Sequence, residues 1–153
     1  MMLNEDFKDM LRIFLDEKVE FLIIGAYALA AHGLPRATGD IDFWVMPSPE
    51  NASAVLRALT KFGAPLQQIS ARDFEVEGTI FQIGVPPRRI DIVTEVSGLR
   101  FSEALEASVL LELAGFDVRI PCVKDLITNK KATGRPKDLI DVDVLERFAL
   151  GES

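Results

Sequence analysis

Two aspartates stand at the front of an otherwise apolar strand. The stretch RATGDIDFWV (36–45) ends on Ile41, Phe43, Trp44 and Val45, bulky residues that pack well in a sheet. Residues i and i+2 of a strand share a face, about 7 Å apart. Asp40 and Asp42 therefore point one way while Ile41 and Phe43 point the other. A carboxylate in such surroundings is costly unless a cation or hydrogen bonds compensate it. A third acid, Asp91, lies between Ile90 and Ile92 in RIDIVTEV. If the two strands are neighbours, three carboxylates meet at one place and repel unless cations neutralise them. Mg²⁺ suits such a site, since it takes one or two carboxylates and keeps positions for phosphate and water. Three carboxylates can hold two such ions with phosphate oxygens between them. The plainer alternative, three solvated acids, fits the apolar context poorly.

The remaining pattern is mixed α/β. Residues 4–17 predict a helix capped by Asn4, with Phe7, Met10, Leu11, Phe14 and Leu15 at helical spacing. EFLIIG (20–25) predicts a short strand, AYALAAHG a short helix ending on Gly33, and DIDFWVM (40–46) a second strand. A helix is expected from Ser48 to Gly63, with Pro49 and Glu50 in its first turn. SARDF (70–74) predicts a helical turn. GTIFQIG (78–84) and RRIDIVTEV (88–96) predict two strands, broken at Pro86-Pro87 and paired as a hairpin. FSEALEAS is a short helix, VLLEL and FDVRI a second hairpin, and the C-terminal stretch two helices broken at Gly134-Arg135-Pro136. The expected fold is α/β (α+β), one domain over 1–153, with a small mixed sheet flanked by helices and a helical C-terminus.

Charge narrows the partners. The 153 residues carry a net charge of −7, which disfavours extended nucleic-acid binding. One cysteine, Cys122, excludes an intrachain disulfide. That usage, with no signal-peptide pattern and no apolar stretch long enough to span a bilayer, predicts a cytoplasmic protein without membrane contact. Within the acidic chain, Lys124, Lys130, Lys131, Arg135 and Lys137 form a local basic patch suited to a triphosphate, or else a solvated helix face. Gly25-Ala26, at a strand-to-helix turn, offers backbone N–H groups to an anion. His32, the sole histidine, is expected to meet carbonyls at the end of its own short helix. Asp138, Asp141 and Asp143 are expected to cap the last helix and face water, with Asp138 paired to Lys130 or Arg135.

These parts together resemble the nucleotidyltransferase superfamily with the DNA polymerase β-type fold. The matching stretches are IIGAYALAAHGLPRATGDIDFWV (23–45) and RIDIV (89–93). AHGLPRATGDID looks like the bacterial branch near the AbiEii-type toxin nucleotidyltransferases, as do Lys130 and the run from Arg135 to Asp141. The resemblance implies that Asp40, Asp42 and Asp91 hold Mg²⁺ or Mn²⁺ on a nucleoside triphosphate, with Asp91 taking the proton of an acceptor hydroxyl. It implies phosphate or base contacts from Gly25, Ala26, Arg36, Thr38, Lys130 and Arg135, and marks Asp138 as a further site residue. Ala26 stands where the wider family has Gly or Ser, so a serine hydroxyl contact is missing.

The expected function is Mg²⁺-dependent transfer of a nucleoside monophosphate from a triphosphate to an acceptor, with release of pyrophosphate. The alternatives are a nucleotide-binding regulator with little turnover, such as one half of a toxin–antitoxin pair with a partner protein, and a metal-independent interaction module.

Overall fold

The computed structural model describes residues 3–34 and 39–151. Helix α1 (Glu5–Asp16) starts where the Asn4 side chain accepts the Phe7 N–H at 2.9 Å and buries Phe7, Met10, Leu11 and Phe14. Strand β1 (Phe21–Ile24), the short helix α2 (Ala26–Ala31) and strand β2 (Ile41–Val45) follow. Helix α3 (Pro49–Phe62) is capped by Ser48 and ends on Gly63 in the left-handed conformation. Its buried Asn51 accepts the Glu20 N–H and donates to the carbonyls of Glu20 and Met46. Those bonds tie the helix to the start of β1 and the end of β2.

A 3-10 turn (Ala71–Glu75) leads to strands β3 (Ile80–Ile83) and β4 (Ile90–Val93), then helix α4 (Phe101–Ala107). Strands β5 (Val109–Leu113) and β6 (Phe116–Ile120) form a separate hairpin, and helices α5 (Val123–Thr133) and α6 (Pro136–Ala149) close the chain. The main sheet has the order β1-β2-β4-β3. Its β1–β2 and β3–β4 pairs are antiparallel, and β2 and β4 run parallel between them. The expected hairpins over 78–96 and 109–120 are both present. The strand expected over 88–96 is shorter and ends at Val93, because the chain turns there into a bridge between Val96 and Leu99.

Period-two alternation splits the sheet between two faces. Phe21, Ile23, Ile41, Phe43, Val45, Ile90 and Ile92 join the main core with α1 and α3. Leu22 and Trp44 form a smaller cluster on the other face with Val96 and with Phe101 and Ala104 of α4. Among the described residues no helix is long and apolar enough to cross a membrane.

Candidate active site

The parallel β2–β4 register sets Asp42 directly opposite Asp91 and Ile41 opposite Ile90. Since Ile41, Phe43, Ile90 and Ile92 belong to the main core, the two acids share the opposite face of the sheet. Asp40, immediately before β2, is drawn in through the backbone of Arg89. Its Oδ1 accepts the Arg89 N–H at 3.0 Å, and the Ile41 N–H donates to the Arg89 carbonyl at 3.0 Å. Gly39 permits this closure, because a Cβ there would fall 2.1 Å from the Pro87 carbonyl oxygen. All three acids expected from the sequence thus lie on the adjoining ends of two neighbouring strands.

Arg89 is the group that sequence reasoning missed. Its Nε donates to Asp91 Oδ1 at 2.7 Å and its Nη2 to Oδ2 at 3.1 Å. The same Nη2 lies 3.5 Å from Asp40 Oδ2. The signal was present: Arg89 is two residues before Asp91, so strand periodicity places both on one face. Tyr27 of α2 also belongs to this neighbourhood. Burial and, next, the charge of Asp40 raise its hydroxyl pKa.

Asp42 is left with the surplus negative charge. Burial first, then the Asp91 carboxyl within hydrogen-bonding reach and the charge of Asp40, push its pKa up to about 7, against a smaller opposing effect of Arg89. An acid raised in the folded state contributes stability below its unfolded pKa of about 4 and loses it as pH rises through about 7. Asp42→Asn removes that titration. In metal-stripped protein, urea unfolding should show the variant gaining on wild type by about 2 kcal/mol between pH 5 and pH 8, after discounting for partial exposure. An equal difference at both pH values would dismiss the raised Asp42 pKa as the source of the pH dependence.

Gly25 lies against this acid. It starts α2 with φ of 74°, and a Cβ there would stand 2.3 Å from Asp42 Oδ2. Ala26 is the first residue of α2. Arg36 and Thr38, also expected at the site, lie outside the described residues.

The C-terminal residues form their own cluster between α5 and α6. Lys130 Nζ stands 3.2 Å from Asp141 Oδ2 and 3.5 Å from Asp138 Oδ1, and Arg135 Nε donates to Asp138 Oδ2 at 2.6 Å. Asp138 and Asp141 are buried, so the expectation that these acids face water fails for both. The packing of α5 against α6 encloses them with Lys130, while Arg135 covers Asp138 from the exposed side. Asp143 is exposed and pairs with Arg147. His32 differs too: its Nε2 is 2.8 Å from the Pro121 carbonyl oxygen, beyond its own helix, because β6 ends beside α2.

The donor chemistry of Asp40, Asp42 and Asp91 fits a hard divalent cation, which takes carboxylate oxygens. Burial first, and then the neighbouring carboxylates, raise the Asp42 pKa, and a cation at these oxygens would oppose both effects. The three do not form a ready cage, however. Among the described residues no group of three or more His, Cys, Asp or Glu is gathered to hold a metal ion, and the guanidinium of Arg89 holds Asp40 and Asp91 instead.

The fold is that of nucleotidyltransferases. The chain is similar to the crystal structure of a candidate nucleotidyltransferase from Thermotoga maritima, with a TM-score of 0.59 and 12% identity over 95% of this chain and 91% of that one. It is equally similar to the antibiotic-resistance factor ANT(2'')-Ia in solution, at 0.59 and 15% identity over 95% of this chain and 82% of the other. A crystal structure of ANT(2'')-Ia with adenylyl-2''-tobramycin also scores 0.59 at 15% identity, over 94% and 87% of the two chains. No family model and no curated protein matches the sequence.

Proposed function

We propose that this protein is a metal-dependent nucleotidyltransferase, moving a nucleoside monophosphate from a triphosphate to an acceptor hydroxyl. The observation that carries this reading is the β2–β4 register, which sets Asp42 beside Asp91 with Asp40 at the adjoining strand end, in a fold shared with nucleotidyltransferases. Asp40, Asp42 and Asp91 would hold Mg²⁺ or Mn²⁺. When bound, the metal would supply positive charge against the phosphate oxygens.

The acceptor oxygen bonds to the α-phosphorus, the bond from that phosphorus to the β-phosphate bridging oxygen breaks, and pyrophosphate leaves. Asp91 takes the hydroxyl proton on a carboxylate oxygen, for which Arg89 must first release it. Gly25 keeps the space beside Asp42 clear, and the Ala26 N–H meets the outer phosphates with Arg36 and Thr38 nearby in sequence. Lys130 and Arg135 serve the triphosphate indirectly or by exchanging Asp138 for it, since both are engaged with that acid.

A second reading is a nucleotide-binding component with little turnover, of the kind found in toxin–antitoxin pairs. The hold of Arg89 on two of the three acids favours it. Calorimetric titration of ATP, CTP, GTP and UTP, with and without Mg²⁺, tests both readings. Wild type should bind at least one nucleotide only with metal, and Asp42→Asn should weaken that binding at least about tenfold, the effect of one lost charge contact. No binding of any nucleotide would remove both. Binding without pyrophosphate release across a range of hydroxyl acceptors would favour the second.

A further inference from the structure

We propose that the Arg89 side chain is a built-in counter-cation that competes with divalent metal for Asp40 and Asp91, so that metal loading requires its displacement. This rests on the metal-dependent reading above and concerns how the same site is gated.

The geometry is that of a site already holding a cation. Both oxygens of Asp91 accept from the guanidinium, at 2.7 and 3.1 Å, and its Nη2 reaches on to Asp40 Oδ2 at 3.5 Å. A bidentate fork of this kind is the strongest ordinary carboxylate partner. A divalent ion on the same oxygens would stand within a few ångströms of a fixed positive charge and be repelled. One cation therefore gives way to the other.

The fold lets the side chain leave without disturbing the sheet. The Arg89 backbone is held on both sides, its N–H by Asp40 Oδ1 and its carbonyl by the Ile41 N–H. The Arg89 side chain is 26% exposed against 12% for Asp91, so it is the more solvent-accessible member of the pair. Displaced from the acids, the guanidinium stays tethered beside the site and becomes available to an incoming phosphate. Metal and triphosphate arriving together would offer each charge a new partner.

Mn²⁺ alone, without nucleotide, is the direct test. Its binding to the full chain can be followed by loss of the free-ion paramagnetic resonance signal, in wild type, Arg89→Gln and Arg89→Lys. The expected order is tightest for Arg89→Gln, by about tenfold over wild type. Arg89→Lys should fall between, since it keeps the charge and loses the fork. Equal or weaker Mn²⁺ binding by Arg89→Gln overturns the proposal. If Arg89→Gln does not fold, Arg89→Lys decides alone: tighter binding supports competition, and unchanged or weaker binding overturns it. Wild-type binding with no effect at Arg89 would sink this inference and leave the proposed function standing. No Mn²⁺ binding by any of the three would sink both.

Discussion

Gly25→Ala should destabilise the protein by about 2–4 kcal/mol and remove metal-dependent nucleotide binding. Two independent costs meet at this residue. Its φ of 74° lies where an L side chain is strained. The added Cβ would also stand 2.3 Å from Asp42 Oδ2 and 3.3 Å from Asp42 Cγ. The Asp42 backbone is fixed between Ile24 of β1 and Asp91 of β4, so relief of the clash must come from turning its carboxylate. A double-mutant cycle separates the two costs. In an Asp42→Ala background the contact with the carboxylate is gone, and Gly25→Ala should cost only the backbone strain, about 1–2 kcal/mol. Urea unfolding of the four proteins measures the coupling. A cost that does not change between backgrounds would mean that Gly25 serves the turn alone, with no part in leaving space at Asp42.

Which parts of this site were readable in the sequence follows from how local each one is. The positions of Asp40 and Asp42 follow from strand periodicity over a few residues, and Asp91 from the same rule on a second apolar strand. Their meeting needed only that β2 and β4 be neighbours, and the parallel register supplies that. The ends of α1 and α3 were legible because Asn4 and Ser48 act within three residues of themselves. What was not legible depends on contacts between distant segments. The bond of His32 to the Pro121 carbonyl spans 89 positions and reflects the placement of β6, which no motif near His32 encodes. The burial of Asp138 and Asp141 arises from the way α5 lies on α6, and the charge-rich sequence of both helices reads as solvent-facing. Arg89 is a different case. It was within reach of the same i, i+2 rule, but a basic residue beside a basic residue draws less notice than an acid in an apolar strand.

Asp138→Ala should cost about 3–5 kcal/mol, because it strands several groups that now share one buried carboxylate. Asp138 is fully buried and accepts from Thr133 Oγ1 at 2.8 Å, from the Arg135 N–H at 3.3 Å and from its Nε and Nη2 at 2.6 and 3.2 Å. Lys130 adds its charge from 3.5 Å. The hydrogen bond from Arg135 holds the Asp138 carboxyl well below the usual carboxylate range, against the opposing effect of burial. An acid lowered in the folded state contributes stability above its unfolded pKa of about 4 and loses it as pH falls toward the folded value. Wild type should therefore lose stability steadily below about pH 4, and Asp138→Asn, with nothing to protonate there, should lose less over the same interval. Thermal unfolding at neutral pH should put Asp138→Ala about 10 °C below wild type, with Asp138→Asn between, since it keeps an acceptor oxygen but no charge. The same variants separate the two roles open to Lys130 and Arg135. If those cations serve only to join α5 to α6, Asp138→Asn weakens the fold and leaves nucleotide affinity as it was. If they reach the triphosphate, freeing them from Asp138 tightens nucleotide binding while the melting temperature falls. Opposite movement of the two readouts would assign the basic cluster to the nucleotide.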